Sequence, residues 1–129
     1  MADAKDRPVK TPGEDHPIHI SDFTLPVDVI AGDTALAQRA HALELVEAGH
    51  DAVLYVDPGH VARERLIPSD KTSWCPYKGE ASYFHIMLDG GGRLDDAVWC
   101  YREPHAAVEA IRDHLAFTDR VNVRRVASL

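Results

Sequence analysis

Residues 72–86, TSWCPYKGEASYFHI, place a thiol, an amine, two phenols and an imidazole around one proline and one glycine. Cys75 is a candidate nucleophile if a nearby cation lowers its pKa, and Lys78, across the Pro76–Tyr77 turn, is the cation in reach. Nucleophilic catalysis also needs a positioned base, and no histidine adjoins Cys75 in sequence. The competing reading of Cys75 is a small buried hydrophobe. Lys78 is read either as a solvated turn residue or as the electrostatic anchor of a site. As a solvated residue, its replacement by Ala moves stability by less than about 0.5 kcal/mol. As an uncompensated anchoring cation, its loss leaves stability equal or slightly higher.

Other groupings are weaker. Structural zinc takes four Cys or His ligands in close pairs, whereas Cys75 and Cys100 stand alone. His16 and His19 have a spacing that sends them to opposite faces of an extended segment. No metal and no cofactor are expected. DGGGRLDDA (89–97) stands between two strand-like runs, so its glycines suit a hairpin rather than a phosphate loop. Asp95 and Asp96 are adjacent and would diverge in a strand, so they do not read as a paired-carboxylate metal site.

The elements that must position these residues follow from pattern. The predicted strands are 16–21, 26–33 with a return over 34–38, 52–56, 80–88, 95–101 and 120–126. Ala, Leu and Glu over 40–48, ended by Gly49, predict a helix. HVARERL (60–66) fits one or two helical turns. Residues 67–79 read as a long irregular loop of the kind that carries function. Pro104 with Val108, Ile111 and Leu115 predicts a C-terminal helix. The sum is a mainly β (α+β) fold of antiparallel strands with peripheral helices. A five-residue loop over 89–93 would pair Phe84 with Val98 and Leu88 with Leu94. Tyr83, His85, Trp99 and Tyr101 would then share one face, as the wall of a small-ligand pocket or as a second apolar layer under the C-terminal helix.

Composition sets the outer limits. The chain has 129 residues, enough for one domain with its own core: a flexible arm over 1–15 and a single domain over 16–129. A net charge of −7 argues against non-specific nucleic-acid binding. No run is long and apolar enough for a membrane span, and the polar, Pro-rich N-terminus is not expected to be a secretory signal or membrane anchor. Two cysteines in such a chain are expected as thiols in the cytoplasm. The expected partner is a small molecule, with the chain a monomer or homodimer.

Four segments then resemble a known family: TPGEDHPI (11–18), RAHALEL (39–45), LIPSDKTSWCPYKGEASYF (66–84) and AVWCYREP (97–104). The chain is identified on them as a member of the bacterial domain-of-unknown-function family DUF427, from about Thr11 to Val123. The resemblance implies a tent-like sheet domain similar to the Mss-four and methionine sulfoxide reductase B folds, without their zinc-binding Cys pairs. Its pattern falls on His16, Cys75, Pro76, Tyr77, Lys78, Gly79, Tyr83, Trp99 and Tyr101. It departs at Cys100, where Ser or Thr is more usual, and around Ala31 to Gln38. A nucleotidyltransferase-like activity is sometimes attached to the family, and no motif here supports one. Two functions stay open. One is a pocket for a small polar or anionic metabolite, with Lys78 as anchor, Tyr77 and Tyr83 as hydrogen-bonding walls, and Trp99 and Tyr101 for stacking. The other is a non-catalytic structural or protein-interaction β module.

Overall fold

A computed structural model describes residues 7–126. The first six residues of the expected arm lie outside the described residues. The rest of it is tied to the domain: Lys10 donates its amide to Pro76 O at 2.9 Å, Trp74 Nε1 donates to Pro8 O at 2.8 Å, and Arg7 pairs with Glu80.

The fold is mainly β and antiparallel, in three sheets. In the first, β4 (Ala42–Glu47) lies between β1 (Ile18–Asp22) and β5 (Val53–Val56). In the second, β2 (Val27–Ala31) lies between β10 (Asn122–Arg125) and β3 (Thr34–Ala40). The third runs β6 (Leu66–Cys75), β7 (Gly79–Met87), β8 (Arg93–Tyr101), β9 (Ala116–Phe117). Val56 and Leu115 exchange both backbone hydrogen bonds, at 2.8 and 2.9 Å, and so join the first sheet to the third. The main core gathers Val27, Val29 and Leu36 with Ile86, Val98 and Cys100. A second cluster joins Leu45, Tyr55, Ala81 and Tyr101 to Val108, Ile111 and Ala116.

Three expectations are corrected. Residues 42–47 are a central strand, not part of a helix. Their helix propensity is worth only tenths of a kcal/mol per residue, and pairing on both edges while burying Leu45 overrides it. The stretch 67–79 is mostly strand β6. Pro68 disguised it, since proline is tolerated on the edge of a sheet, where β6 lies, and the register shifts between Pro68 and Thr72. The C-terminal helix is a 3-10 segment, Ala106–Ile111, whose Val108 leaves helical geometry. Its apolar stripe is nonetheless buried: Val108, Ile111 and Leu115 are all inside.

The hairpin register is half as expected. Phe84 pairs with Val98 and Tyr83 with Trp99, but farther out Ile86 pairs with Leu94 and Met87 with Arg93. A bulge takes up the difference. Asp96 enters the left-handed region at φ 50°, tolerable for Asp, and donates its amide to His85 Nδ1 at 3.0 Å. That bulge removes Leu88 from its expected place opposite Leu94.

A buried charge cluster on the floor of a cavity

The Cys75–Lys78 segment is a β-turn. Pro76 supplies the fixed φ of its second position, and the Lys78 amide donates to Cys75 O at 3.2 Å. Gly79 follows at φ 111°, where a Cβ would stand 3.4 Å from Glu103 O and from the His105 ring. Glycine is therefore favoured by backbone geometry rather than by space, since a Cβ there would make only ordinary van der Waals contact. The turn sends Lys78 inward, and its carbonyl accepts from the His105 amide at 3.0 Å, pinning the turn to the chain after β8.

Lys78 is neither solvated nor uncompensated. It is 9% exposed, and its Nζ donates to Glu47 Oε1 at 2.7 Å. The other carboxylate oxygen, Oε2, is 2.7 Å from His16 Nε2. Glu47 is itself 9% exposed, at the inner end of β4. His16 stacks on Tyr77 with centroids 4.0 Å apart and planes 8° from parallel. One carboxylate thus bridges an ammonium and an imidazole, and the ring is clamped from its face.

Electrostatics follow from this geometry. Burial pushes the Glu47 carboxyl up, but the bonds from Lys78 and His16 and the nearby charges of Lys78 and His50 outweigh it, so its pKa lies below the ordinary carboxylate value. For Lys78 burial pushes down, and the bond to Glu47 with neighbouring charges prevails, so its pKa lies above the ordinary amine value. Burial raises the phenols of Tyr55 and Tyr101. Near neutral pH the site holds a carboxylate, an ammonium and two neutral phenols.

This cluster floors a cavity of about 880 Å³ between the first and third sheets. Of the residues expected from sequence, His16, Cys75, Tyr77, Lys78, Tyr83, Trp99 and Tyr101 all line it. His85 does not: its ring is engaged with the Asp96 amide in the bulge. Tyr83 and Trp99 are half-buried, whereas Tyr101 is 5% exposed and packed beside Val108 and Ile111. The aromatic face is therefore pocket wall at one end and apolar layer at the other. Sequence reasoning missed Glu47, Tyr55, Trp74 and the rim of Lys71, Asp119 and Arg120. The signal for Glu47 was available. If 42–47 is a strand with Leu45 inward, Glu47 points inward too and needs a cation.

The lining is not a cationic well. Carboxylates of Glu47, Asp51, Asp95, Asp96 and Asp119 face Lys71, Lys78 and Arg120. Lys71 already lies over the Tyr83 ring, its Nζ 4.5 Å from the centroid. Among the described residues no group of three or more His, Cys, Asp or Glu has a metal-holding arrangement, and no helix is long and apolar enough to cross a membrane.

Both cysteines are free thiols. Burial, only partly offset by Arg102, pushes the Cys100 thiol up, while Cys75 is half-buried at the cavity. One thiol is therefore expected to react with Ellman's reagent in the native protein and the second only on unfolding. Two thiols reacting at one rate would contradict this. Cys100→Ser is expected to lower stability by about 1–3 kcal/mol in urea denaturation, because it sets a hydroxyl among the apolar side chains of the main core.

A family model described as a domain of unknown function (DUF427) matches residues 19–127. Glu47 and Lys78 lie within the matched span, and His16 lies three residues before it. None of the curated proteins compared with the chain matches it.

Proposed function

The chain belongs to the DUF427 family of domains of unknown function, and on that premise we propose that its cavity binds a small polar ligand carrying a flat ring. The observation that carries this reading is the Lys78–Glu47–His16 cluster set at the floor of an 880 Å³ cavity. A buried ion pair is a poor stabiliser, because desolvation cancels most of its attraction. Apolar residues of similar volume would hold the same two sheets together as well or better. A charged cluster kept at a cavity floor is accounted for by what enters the cavity.

Small-molecule sites are typically clefts of roughly 300–1,000 Å³ with aromatic walls and a few convergent polar groups. Trp99 offers a ring surface at the cavity wall, and His16 offers a hydrogen-bonding position fixed by Glu47. Because Glu47 neutralises Lys78 and carboxylates outnumber cations in the lining, a neutral or zwitterionic ligand suits the site better than a polyanion. A second reading, a non-catalytic β module, is favoured by one observation: Tyr101 and Ala81 are committed to packing with Val108 and Ile111.

Native mass spectrometry of the freshly purified protein, followed by a thermal-shift screen of nucleosides, aromatic amino acids and heteroaromatic acids, tests the proposal. A ligand present at about 100 times its Kd should stabilise by about 2.7 kcal/mol. Trp99→Leu should fold and lose that shift. A shift of equal size in Trp99→Leu would remove Trp99 from the site, and no bound species with no shift from any class would favour the module.

A further inference from the structure

We infer that His16 is the proton-transferring group of this cavity, with Glu47 its positioning residue. The inference rests on the cavity being a ligand site and adds that the site performs acid–base chemistry. His16 Nε2 is committed to Glu47 Oε2 at 2.7 Å. Facing a carboxylate, that nitrogen donates its hydrogen, so the neutral ring carries its proton on Nε2 and its lone pair on Nδ1. Among the described residues nothing hydrogen-bonds Nδ1, and the ring is 26% exposed at the cavity wall. A carboxylate that fixes the tautomer and orientation of an imidazole is how general bases are built.

The groups around His16 are few. Tyr77 covers one ring face, His50 stands edge-on with centroids 6.4 Å away, and Asp51 lies on the same cavity wall. Lys78 acts through Glu47, holding Oε1 so that Oε2 remains for the imidazole. The buried groups at the cavity floor are excluded by state. Lys78 stays protonated, Glu47 stays ionised with both oxygens occupied, and the Tyr55 and Tyr101 phenols stay neutral.

The step is proton transfer from a hydroxyl or a water held in the cavity. The O–H bond breaks, its proton joins Nδ1, and the oxygen uses the freed electron pair to bond an electrophilic carbon, whose bond to the leaving oxygen then breaks with its electron pair staying on that oxygen. The imidazolium formed faces the Glu47 carboxylate and returns the proton to the leaving oxygen. No electrons are gained or lost, and no co-reactant beyond the hydroxyl or water is needed. The substrate class is therefore one that undergoes hydrolysis or transfer at an activated carbonyl or comparable centre.

Two measurements test this on the full chain. Imidazole nitrogen NMR, titrated from about pH 5 to about pH 9, should show neutral His16 protonated on Nε2 alone. Hydrolysis of 4-nitrophenyl acetate, a probe needing only a base and a water, should rise with pH along the titration of that same ring. It should fall by about 10²-fold in His16→Gln, the lower end of what a general base contributes. Glu47→Gln should fall comparably and lose the matching pH profile, and Glu47→Asp should recover part of both; circular dichroism must first show each variant folded. His16→Gln, which leaves the Lys78–Glu47 pair intact, keeps the test open if the Glu47 variants fail to fold. A His16 ring that stays doubly protonated across the range would overturn the inference, as would equal turnover in wild type and His16→Gln, or an acetyl group found on Cys75. Any of these results leaves the thermal shifts of the binding proposal untouched, so the two readings fail separately.

Discussion

Glu47→Ala is expected to lower stability by about 3 kcal/mol or more in urea denaturation, the largest loss of any single change at the site. Removing the carboxylate strands the Lys78 ammonium at 9% exposure and takes the hydrogen-bond partner from His16. Lys78→Ala should do nearly as much by stranding Glu47. That reverses the expectation drawn from sequence, in which Lys78 was a solvated or uncompensated residue whose loss is neutral or mildly stabilising. The double variant Glu47→Leu with Lys78→Met should recover most of the loss, because the cost lies in the unpaired charge.

The same pair gives a pH signature. The Glu47 pKa is depressed in the folded protein, so its contribution is complete above the ordinary value of 4.5 and is lost as pH falls through the lower folded value. The Lys78 pKa is raised, so its contribution is complete below 10.5 and is lost as pH rises through the higher folded value. Stability should therefore be flat with respect to this pair between those limits, and Glu47→Ala should lose the acid-side dependence. A loss under about 1 kcal/mol for Glu47→Ala would mean that water reaches the pair.

The second large effect is expected away from the charges. Ile111→Ala should cost about 2–5 kcal/mol, because Ile111 is fully buried against the layer that includes Tyr101 and Leu45. The denaturation midpoint should fall with the slope unchanged. If the 3-10 segment Ala106–Ile111 were only a loose cover, the loss would stay below about 1 kcal/mol. In that case Tyr101 would have to be supported by other contacts.

The sequence announced the turn around Lys78 and the aromatic pair across β7 and β8, because both rest on local rules. Pro76 and Gly79 dictate a turn by backbone chemistry, and period-two alternation places Tyr83 beside Trp99. It concealed Glu47 because Ala, Leu and Glu are good helix formers, and propensity cannot see that β1 and β5 are waiting on either side. It concealed β6 because Pro68 reads as a loop unless the strand is known to be an edge. The bulge at Asp96 was beyond reach for another reason. It is set by one imidazole accepting one amide, which leaves no periodic trace.

The carboxylate at position 47 stands 31 residues from His16 and 31 from Lys78, at the midpoint of the span it closes. No fragment that omits either half of the chain contains the cluster. The strand that carries Glu47 pairs across a long separation too, β4 setting Glu47 opposite Ile18 of β1. Contacts of such separation form slowly, after much chain entropy has been lost. Until they form, the three groups remain hydrated and separately titratable, as in any unfolded chain. The cluster therefore forms only once β1 has paired with β4 and the Lys78 turn has docked, and the His16 ring resonance reports it: during refolding, that resonance should reach its native position no earlier than the β1–β4 pairing.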